Sequence, residues 1–324
     1  MTYLKRVGID GYMFLLLAMM ALGAALPARG VGADILHQIT FWAVALLFFL
    51  YGAKLDSAAV LKGMMNWKLQ LLTFAATFAL FPLLGLGITS AVGGVLGPTL
   101  ALGVLFLAVL PSTVQSSIAF TAMAGGNVPA AICAASLSNL IGVALTPALV
   151  ALMLHQDGGA VGLDAILKVG TQILLPFLLG QALRRWIGGF IKRQMTLSRM
   201  VDRGSILLIV YSAFSAGTVA GIWSSIPPET LLILFGVIAV FLALAMGLME
   251  AAGRVLGLPA EDRAVLFFCG STKSLASGLP IATAIFAPSV VSAIILPVMM
   301  FHMTQLFVCA VVARRRADAL AQPA

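Results

Sequence analysis

Charged residues are scarce in this sequence of 324 residues: 9% are Asp, Glu, Lys or Arg, whereas 61% are hydrophobic. A typical soluble domain carries about a quarter charged residues, so the deficit excludes an ordinary soluble enzyme or binding module. The mean hydropathy of +1.10 agrees with long apolar runs along the whole chain. The composition therefore predicts a polytopic membrane protein.

Cysteine is also scarce, since the chain has only Cys133, Cys269 and Cys309, each within an apolar run. Their spacing matches neither a disulfide framework nor a zinc site. We interpret them as packing residues. The sequence contains no motif for a soluble organic cofactor, and we expect no such cofactor.

Acidic residues are few, with 11 Asp and Glu against 19 Lys and Arg, so the net charge is +8. Most of the basic residues, including Lys5 and Arg6, fall on one side of the membrane when the apolar runs are threaded through it. The positive-inside rule then places both termini in the cytoplasm. We expect the lipid bilayer, and no nucleic acid, to be the partner of these charges. Alternatively, Lys5 and Arg6 could begin a cleaved signal peptide.

The apolar runs predict an all-α protein with ten transmembrane helices. The predicted segments are residues 9–26, 33–51, 67–88, 98–124, 128–154, 165–187, 204–223, 230–252, 264–286 and 289–312.

The chain also repeats itself at a constant offset. Ser271, in a Gly-Ser-Thr sequence, follows Ser112, in a Pro-Ser-Thr sequence, by 159 residues, and Pro288 follows Pro129 by the same number. Five helices per copy is an odd number, so the second copy must enter the membrane from the opposite side. We predict two inverted repeats, residues 1–160 and 161–324, as in many secondary transporters.

The fourth and ninth segments differ from the others because helix breakers and hydroxyl residues interrupt them. Residues 110–117 read LPSTVQSS, and residues 269–280 read CGSTKSLASGLP. Proline removes a backbone donor, so both segments are expected to be broken within the membrane. Two interrupted helices at matching places in inverted halves indicate the binding site of a transporter.

Lys273 is the most informative residue, because it lies in the apolar segment 264–286 with no carboxylate beside it. A charge at this depth costs roughly 2.5–3.5 kcal/mol on insertion scales, which favours a functional role. The alternatives are a side chain that extends to the membrane surface and a structural pair with Glu250. Glu250 has Arg254 four residues on, however, which is the spacing of an ion pair within a helix.

Helix breaks expose backbone donors at half-helix N-termini, which suit an anionic group, and Lys273 adds a full positive charge. We therefore expect a small anionic substrate. His302, with Gln305 one turn later, is a further candidate or a proton relay. The candidate substrate-binding residues are Ser112, Thr113, Gln115, Gly270, Ser271, Thr272, Lys273, Ser274, Ser277 and His302.

These residues resemble those of the bile acid:sodium symporter superfamily, solute carrier family 10 and its bacterial relatives, over essentially the whole chain. Residues 48–55 (FFLYGAKL) and 270–275 (GSTKSL) are most similar to the divergent branch that includes the seventh human member. The resemblance implies crossed fourth and ninth helices, a panel domain and a core domain. It also implies a multi-pass protein of the bacterial inner membrane.

The resemblance also implies where sodium would bind, and here the sequence departs from the pattern. Sodium-coupled members carry Pro-Ser-x-x-x-Ser-Asn on the fourth helix, but Ser117 stands at the Asn position. Ala131 and Ala135 stand at the hydroxyl positions of the fifth helix, and Ser271 stands at the Glu position of the ninth. The remaining candidate sodium ligands are Ser116, Ser117, Ser136 and Asn139.

We therefore predict a secondary active transporter of an organic anion, not an enzyme, in which Lys273 replaces the sodium ion of the related symporters. Transport would then be independent of sodium or coupled to protons through Lys273. Two alternatives stay open: a sodium-coupled symporter of bile acid-like substrates, and a regulatory membrane protein that does not transport. The identity of the substrate and the oligomeric state do not follow from the sequence.

Overall fold

The computed structural model describes residues 11–54, 66–154, 170–224 and 226–321, and the regular secondary structure within these ranges is helical. The first half of the chain forms α1 (Gly11–Ala25), α2 (Val31–Lys54), α3 (Trp67–Ala75), α4 (Phe81–Leu96), α5 (Pro98–Ala108), α6 (Gln115–Met123) and α7 (Val128–Leu154). The second half forms α8 (Leu175–Arg193), α9 (Met195–Val219), α10 (Pro228–Val255), α11 (Ala260–Gly270), α12 (Leu275–Ile285) and α13 (Pro288–Ala321). A π-helical turn (Ala76–Leu80) joins α3 to α4, and a second one (Gly170–Leu174) precedes α8.

Six helical segments of the described residues are long and apolar enough to cross a membrane, and two further apolar helices are shorter. The prediction of an all-helical polytopic membrane protein is therefore confirmed. The boundary between the two predicted repeats lies among residues 155–169, and Lys5 and Arg6 precede residue 11, so all three lie outside the described residues.

The predicted helix breaks are present, whereas the two largest differences from the predicted segments lie at helix ends. The fourth and ninth segments are each two helices, with breaks at residues 109–114 and 271–274, as the breakers predicted. Helix α9 begins nine residues earlier than predicted, at Met195, and α13 continues nine residues further, to Ala321. Polar residues at these two ends continue the helices beyond the apolar runs, which the hydropathy pattern cannot detect.

The ninth segment forms the centre of the molecule. In Ala260–Ile285, 94% of the apolar window is buried, whereas the other five long segments are between 33% and 50% buried. A segment enclosed in this way contacts protein on every side and not lipid. Irregular backbone at membrane depth is tolerated only in such a place, because neighbouring helices must satisfy its polar groups.

Helices α2 and α8 approach each other closely at two glycines. A Cβ atom added to Gly52 would lie 2.0 Å from the Phe177 carbonyl oxygen, and one added to Gly180 would lie 2.0 Å from the Phe49 carbonyl oxygen. Small residues at such crossings let two backbones touch, which is how helices associate in lipid. The same close approach anchors α2 against α8 at both points.

The ion pair predicted from the spacing of Glu250 and Arg254 is present at 2.8 Å. Glu250 also binds Arg316 of α13 at 2.6 Å, and the Arg316 guanidinium lies 4.6 Å from the ring centre of Phe267. Glu250 therefore joins α10 to the end of α13 and is not the partner of Lys273.

The α2–α8 contact predicts the effect of one methyl group. Gly180→Ala should destabilise the protein by about 1–3 kcal/mol, because the added Cβ overpacks a backbone contact. Gly189→Ala on the same helix is the matched control, since nothing lies within 4 Å of its Cβ position. Thermal unfolding in detergent should show a lower midpoint for the first variant only; equal midpoints would contradict the close approach.

Candidate functional site

The break between α5 and α6 leaves a run of backbone carbonyls without helical partners, and each finds another donor. Pro111 has no N–H and ends the helical pattern. The carbonyl of Val109 accepts from the Thr146 hydroxyl at 2.9 Å, and that of Pro111 accepts from the Ser274 N–H at 2.8 Å. Those of Ala108 and Leu110 both accept from the Lys273 ammonium.

The third carbonyl that binds the Lys273 ammonium comes from the π-helical turn between α3 and α4. The N–H of Phe81 bonds to the Ala76 carbonyl, five residues earlier. The same spacing would pair the Thr77 carbonyl with Pro82, which has no N–H to donate. The Thr77 carbonyl is therefore available, and the Lys273 ammonium donates to it at 2.8 Å.

The Lys273 ammonium lies in a cage of these three carbonyl oxygens. Its Nζ lies 2.8 Å from the Thr77 oxygen, 2.9 Å from the Ala108 oxygen and 2.7 Å from the Leu110 oxygen. The Phe81 ring closes one side, with its centroid 4.1 Å from Nζ. Lys273 is 1% exposed, and an ammonium has three hydrogens to donate. The three carbonyls therefore use the whole donor capacity of the ammonium.

This cage overturns both structural alternatives for Lys273. The side chain does not extend to the membrane surface, since it is buried, and it does not pair with Glu250, whose oxygens bind Arg254 and Arg316. The partial negative charges of three backbone carbonyl oxygens face the ammonium in place of a carboxylate. The ammonium is therefore held by carbonyls from the end of α5, from the break that follows it and from the π-helical turn before α4.

The second break, between α11 and α12, is held by Gln305 of α13. Its Oε1 accepts from the Lys273 N–H at 2.8 Å, and its Nε2 donates to the Lys273 carbonyl at 2.8 Å. His302, the candidate relay, places Nδ1 2.9 Å from the same Nε2. His302 therefore contacts the Lys273 site through Gln305.

Hydroxyl groups from the two breaks form one buried cluster. Thr272 Oγ1 lies 3.1 Å from Ser112 Oγ, 3.1 Å from Thr113 Oγ1 and 2.8 Å from Ser117 Oγ. Ser116 donates to Thr113 Oγ1 at 2.8 Å. The structure thus brings together the hydroxyls that the sequence placed 155–160 residues apart.

Asn139 of α7 joins the two breaks on another side. Its amide donates to the Ser112 carbonyl at 2.7 Å, and its Oδ1 accepts from the Ser277 hydroxyl at 2.7 Å. Ser138 Oγ accepts from the Ser112 N–H at 3.0 Å. Ser274 caps α12 through the Ser277 N–H. The α7 side chains of Ser138 and Asn139 therefore bind the backbone of the break between α5 and α6.

Four candidate residues lie outside this network. The Gln115 side chain is exposed at the start of α6, and Gly270 packs where an added Cβ would lie 2.7 Å from Met249 Sδ. The Ser271 hydroxyl donates to the Phe267 carbonyl of its own helix. Ser136 is half-buried on α7, and within the described part of the chain no hydrogen bond connects it to the hydroxyl cluster.

Sequence reasoning missed the residues that complete the cage. Thr77 and Phe81 belong to the third segment, where only Pro82 could have signalled a free carbonyl one turn earlier. The sequence places Gln305 one turn from His302 and does not connect it with Lys273. Nothing in the sequence connected these positions, because the π-helical turn that frees the Thr77 carbonyl is not visible in a hydropathy pattern.

A second polar region, also missed, is a cavity between α2, α9, α12, α13 and the π-helical turn before α8. Its polar lining residues are His37, Thr40, Gln172, Ser212 and Thr283. Among the described residues, the buried oxygens Thr40 Oγ1 and Gln172 Oε1 have no hydrogen-bond partner. Buried polar oxygens without a hydrogen-bond partner are unusual, and these two can accept hydrogen bonds from a small polar molecule.

Comparison with known proteins gives one family and several relatives. The model of the SBF-like CPA transporter family matches residues 10–318. An uncharacterised protein of Pseudomonas aeruginosa is 50% identical over 96% of this chain and 95% of its own length. YfeH of Escherichia coli K12, described as a candidate symporter, is 42% identical over 95% and 92%. The sodium/bile acid cotransporter 7 of Rattus norvegicus is 27% identical over 94% and 92%.

The link through Asn139 predicts a loss of stability without a loss of fold. Asn139→Ala removes the hydrogen bonds to Ser112 and Ser277 and should cost about 1–3 kcal/mol, the range for leaving buried polar groups unpaired. Ser136→Ala, one turn earlier on the same helix, should leave the unfolding midpoint unchanged. Thermal unfolding of both variants in detergent tests this, and equal losses would contradict a specific role of Asn139.

Proposed function

Because this chain belongs to the SBF-like CPA transporter family, and so to the bile acid:sodium symporter superfamily, we propose that it transports an organic anion with Lys273 in place of a sodium ion. Membership makes the protein a multi-pass membrane transporter and not an enzyme. The nature of the substrate and the coupling ion are the parts that we propose.

The observation that carries the proposal is the carbonyl cage around Lys273. Carbonyls freed by helix breaks are the groups with which transporters coordinate sodium, and here an ammonium has three of them. A sodium ion about 4 Å from this ammonium would be repelled by about 4 kcal/mol at an effective dielectric constant of 20. The lysine therefore supplies the positive charge that the crossing needs and excludes a second cation.

The occupied donors of Lys273 also bear on where the substrate binds. Since its three hydrogens bond to carbonyls, the ammonium offers no free donor to an anionic group. The start of α6 offers free donors to an anionic group, because the first N–H groups of a helix lack partners and carry partial positive charge. Gln115 is exposed there, and Ser116 is half-buried beside it. We place the anionic group at this end of α6.

Alternating access requires two bodies that move against each other. Helices α1, α2, α8 and α9 pack mainly on one another, and α9 provides most of their contacts with α12 and α13. We propose that these four helices form the panel domain and the remaining helices the core domain, in an inverted repeat of ten spans. The contact of Thr113 with Thr272, which are 159 residues apart, supports the repeat. We place the protein in the bacterial inner membrane with both termini cytoplasmic.

The polar cavity lies between these two groups of helices. Helix α2 contributes Thr40, the π-helical turn contributes Gln172, and α12 contributes Thr283. A substrate that bridges panel and core would present its uncharged polar groups here, because the described residues that line the cavity include no Lys, Arg, Asp or Glu. Closure of the two bodies around it would then depend on bound substrate.

Sodium coupling is the second candidate, and the buried hydroxyl cluster favours it. The hydroxyl oxygens of Ser112, Thr113 and Ser117 each lie within 3.1 Å of Thr272 Oγ1, and oxygen is the ligand that hard cations prefer. A relative named as a sodium/bile acid cotransporter covers 94% of this chain. This candidate requires sodium and the Lys273 ammonium to coexist in the site.

A sodium titration distinguishes the two candidates. A ligand that binds the folded state raises its stability by RT ln(1 + [L]/Kd), so no substrate need be known. The natural protein should show the same unfolding midpoint in sodium, potassium and choline at equal ionic strength. Lys273→Met, which frees the three carbonyls and removes the charge, should unfold at a lower temperature and should gain a shift specific to sodium.

Lys68→Met is the matched control, because Lys68 is exposed at the start of α3, and its midpoint should not respond to sodium. A sodium-specific shift in the natural protein would reject the replacement of sodium by Lys273 and support sodium symport. A Lys273→Met variant that folds and ignores sodium would reject the idea that the cage is a cation site.

A further inference from the structure

Gln305 makes more contacts with the Lys273 site than its position in a transmembrane helix requires. It is 0% exposed on α13, and its amide bonds to both the N–H and the C=O of Lys273, each at 2.8 Å. Both backbone groups lie in the break between α11 and α12, where helical partners are missing. The Gln305 side chain thus pairs with both backbone hydrogen-bonding groups of Lys273, the residue that carries the buried charge.

A carboxamide is chemically suited to this task because it has the same donor and acceptor as a peptide group. The amide of Gln305 therefore pairs with Lys273 as the backbone of an adjacent strand would. Its second N–H points to His302 Nδ1 at 2.9 Å. The Nε2 of Gln305 can only donate, so the Nδ1 of His302 must accept. The proton of the neutral His302 ring is therefore on its own Nε2. The N–H and C=O of Lys273 set which way the Gln305 amide faces, and the His302 Nδ1 acceptor helps to hold the amide in that orientation.

Helix α13 also holds the wall of the cage. A Cβ atom added to Gly103 of α5 would lie 2.7 Å from the Ile294 carbonyl oxygen of α13, so the two backbones are in contact. Helix α5 ends at Ala108, whose carbonyl binds the ammonium, and the carbonyl of Leu110, in the break that follows, also binds it. A single helix therefore positions the cage at one point and the Lys273 backbone at another.

We propose that Gln305 is the positioning residue of the Lys273 site, and that His302 orients it. Gln305 fixes the position and orientation of the Lys273 backbone in the break. From this position the Lys273 side chain reaches the three carbonyls. This role rests on the proposed function, in which the ammonium takes the place of the coupling cation.

The test measures how often the ammonium leaves its cage. Purified full-length protein is treated with acetic anhydride, and acetylation of each lysine is followed over time by peptide mass spectrometry. In the natural protein Lys273 should react far more slowly than the exposed Lys68. Gln305→Leu should accelerate acetylation of Lys273 by about tenfold or more, the change in an opening equilibrium that a lost buried hydrogen bond produces. The rate at Lys68 should not change.

Gln70→Leu is the control for the loss of a buried amide elsewhere. Gln70 is 5% exposed and donates to the Ala130 carbonyl at 3.2 Å. Its replacement should leave the acetylation of Lys273 unchanged. An equal acceleration in both variants, or none in Gln305→Leu, would overturn the proposal.

Variants of His302 provide a second test, and it decides alone if Gln305→Leu does not fold. His302→Leu removes the acceptor that orients the Gln305 amide and should accelerate acetylation of Lys273, though less than Gln305→Leu. His302→Asn retains an acceptor and should restore the slow rate. Identical rates in these two variants would reject the orienting role and, with it, the proposal. Because native Lys273 is present throughout, the result is independent of the sodium response of Lys273→Met.

Discussion

The structure depends on one constraint: backbone groups released by broken helices must be satisfied where no water is available. The ammonium of Lys273 meets this constraint for three carbonyls at once. Hydrogen bonds to a charged group contribute roughly 1.5–3 kcal/mol each, so three of them offset part of the cost of placing a charge at membrane depth without a carboxylate partner.

The same constraint explains why polar side chains concentrate at the crossing, the region where the breaks at residues 109–114 and 271–274 meet. Thr146, Asn139 and Gln305 each bind backbone groups that a continuous helix would have paired internally. These three residues lie on α7 and α13, which flank the two breaks. The crossing is thus a connected polar network inside an apolar bundle. Its members depend on one another, because removing one leaves a buried partner unpaired.

Much of this arrangement followed from local chemistry. Proline and glycine in apolar runs predicted the two breaks, and an unpaired lysine predicted an unusual environment. The Glu250–Arg254 pair followed from helical spacing. The carbonyl ligands of Lys273 did not follow, since the Thr77 carbonyl is free only because of a π-helical turn. Both structural alternatives for Lys273 are wrong, because its ammonium binds backbone carbonyls and needs neither water nor a carboxylate.

The sequence by itself determined the membrane class, the places where the helices break and the residue types at the crossing, because these depend on local composition and on short-range spacing. Only the tertiary structure decided which groups meet there. Lys273 lies 196 residues from Thr77 and 163 from Leu110 in the chain, and no local pattern encodes such pairs. Packing decided them, since each free carbonyl needed a donor and the fold brought Lys273 to all three.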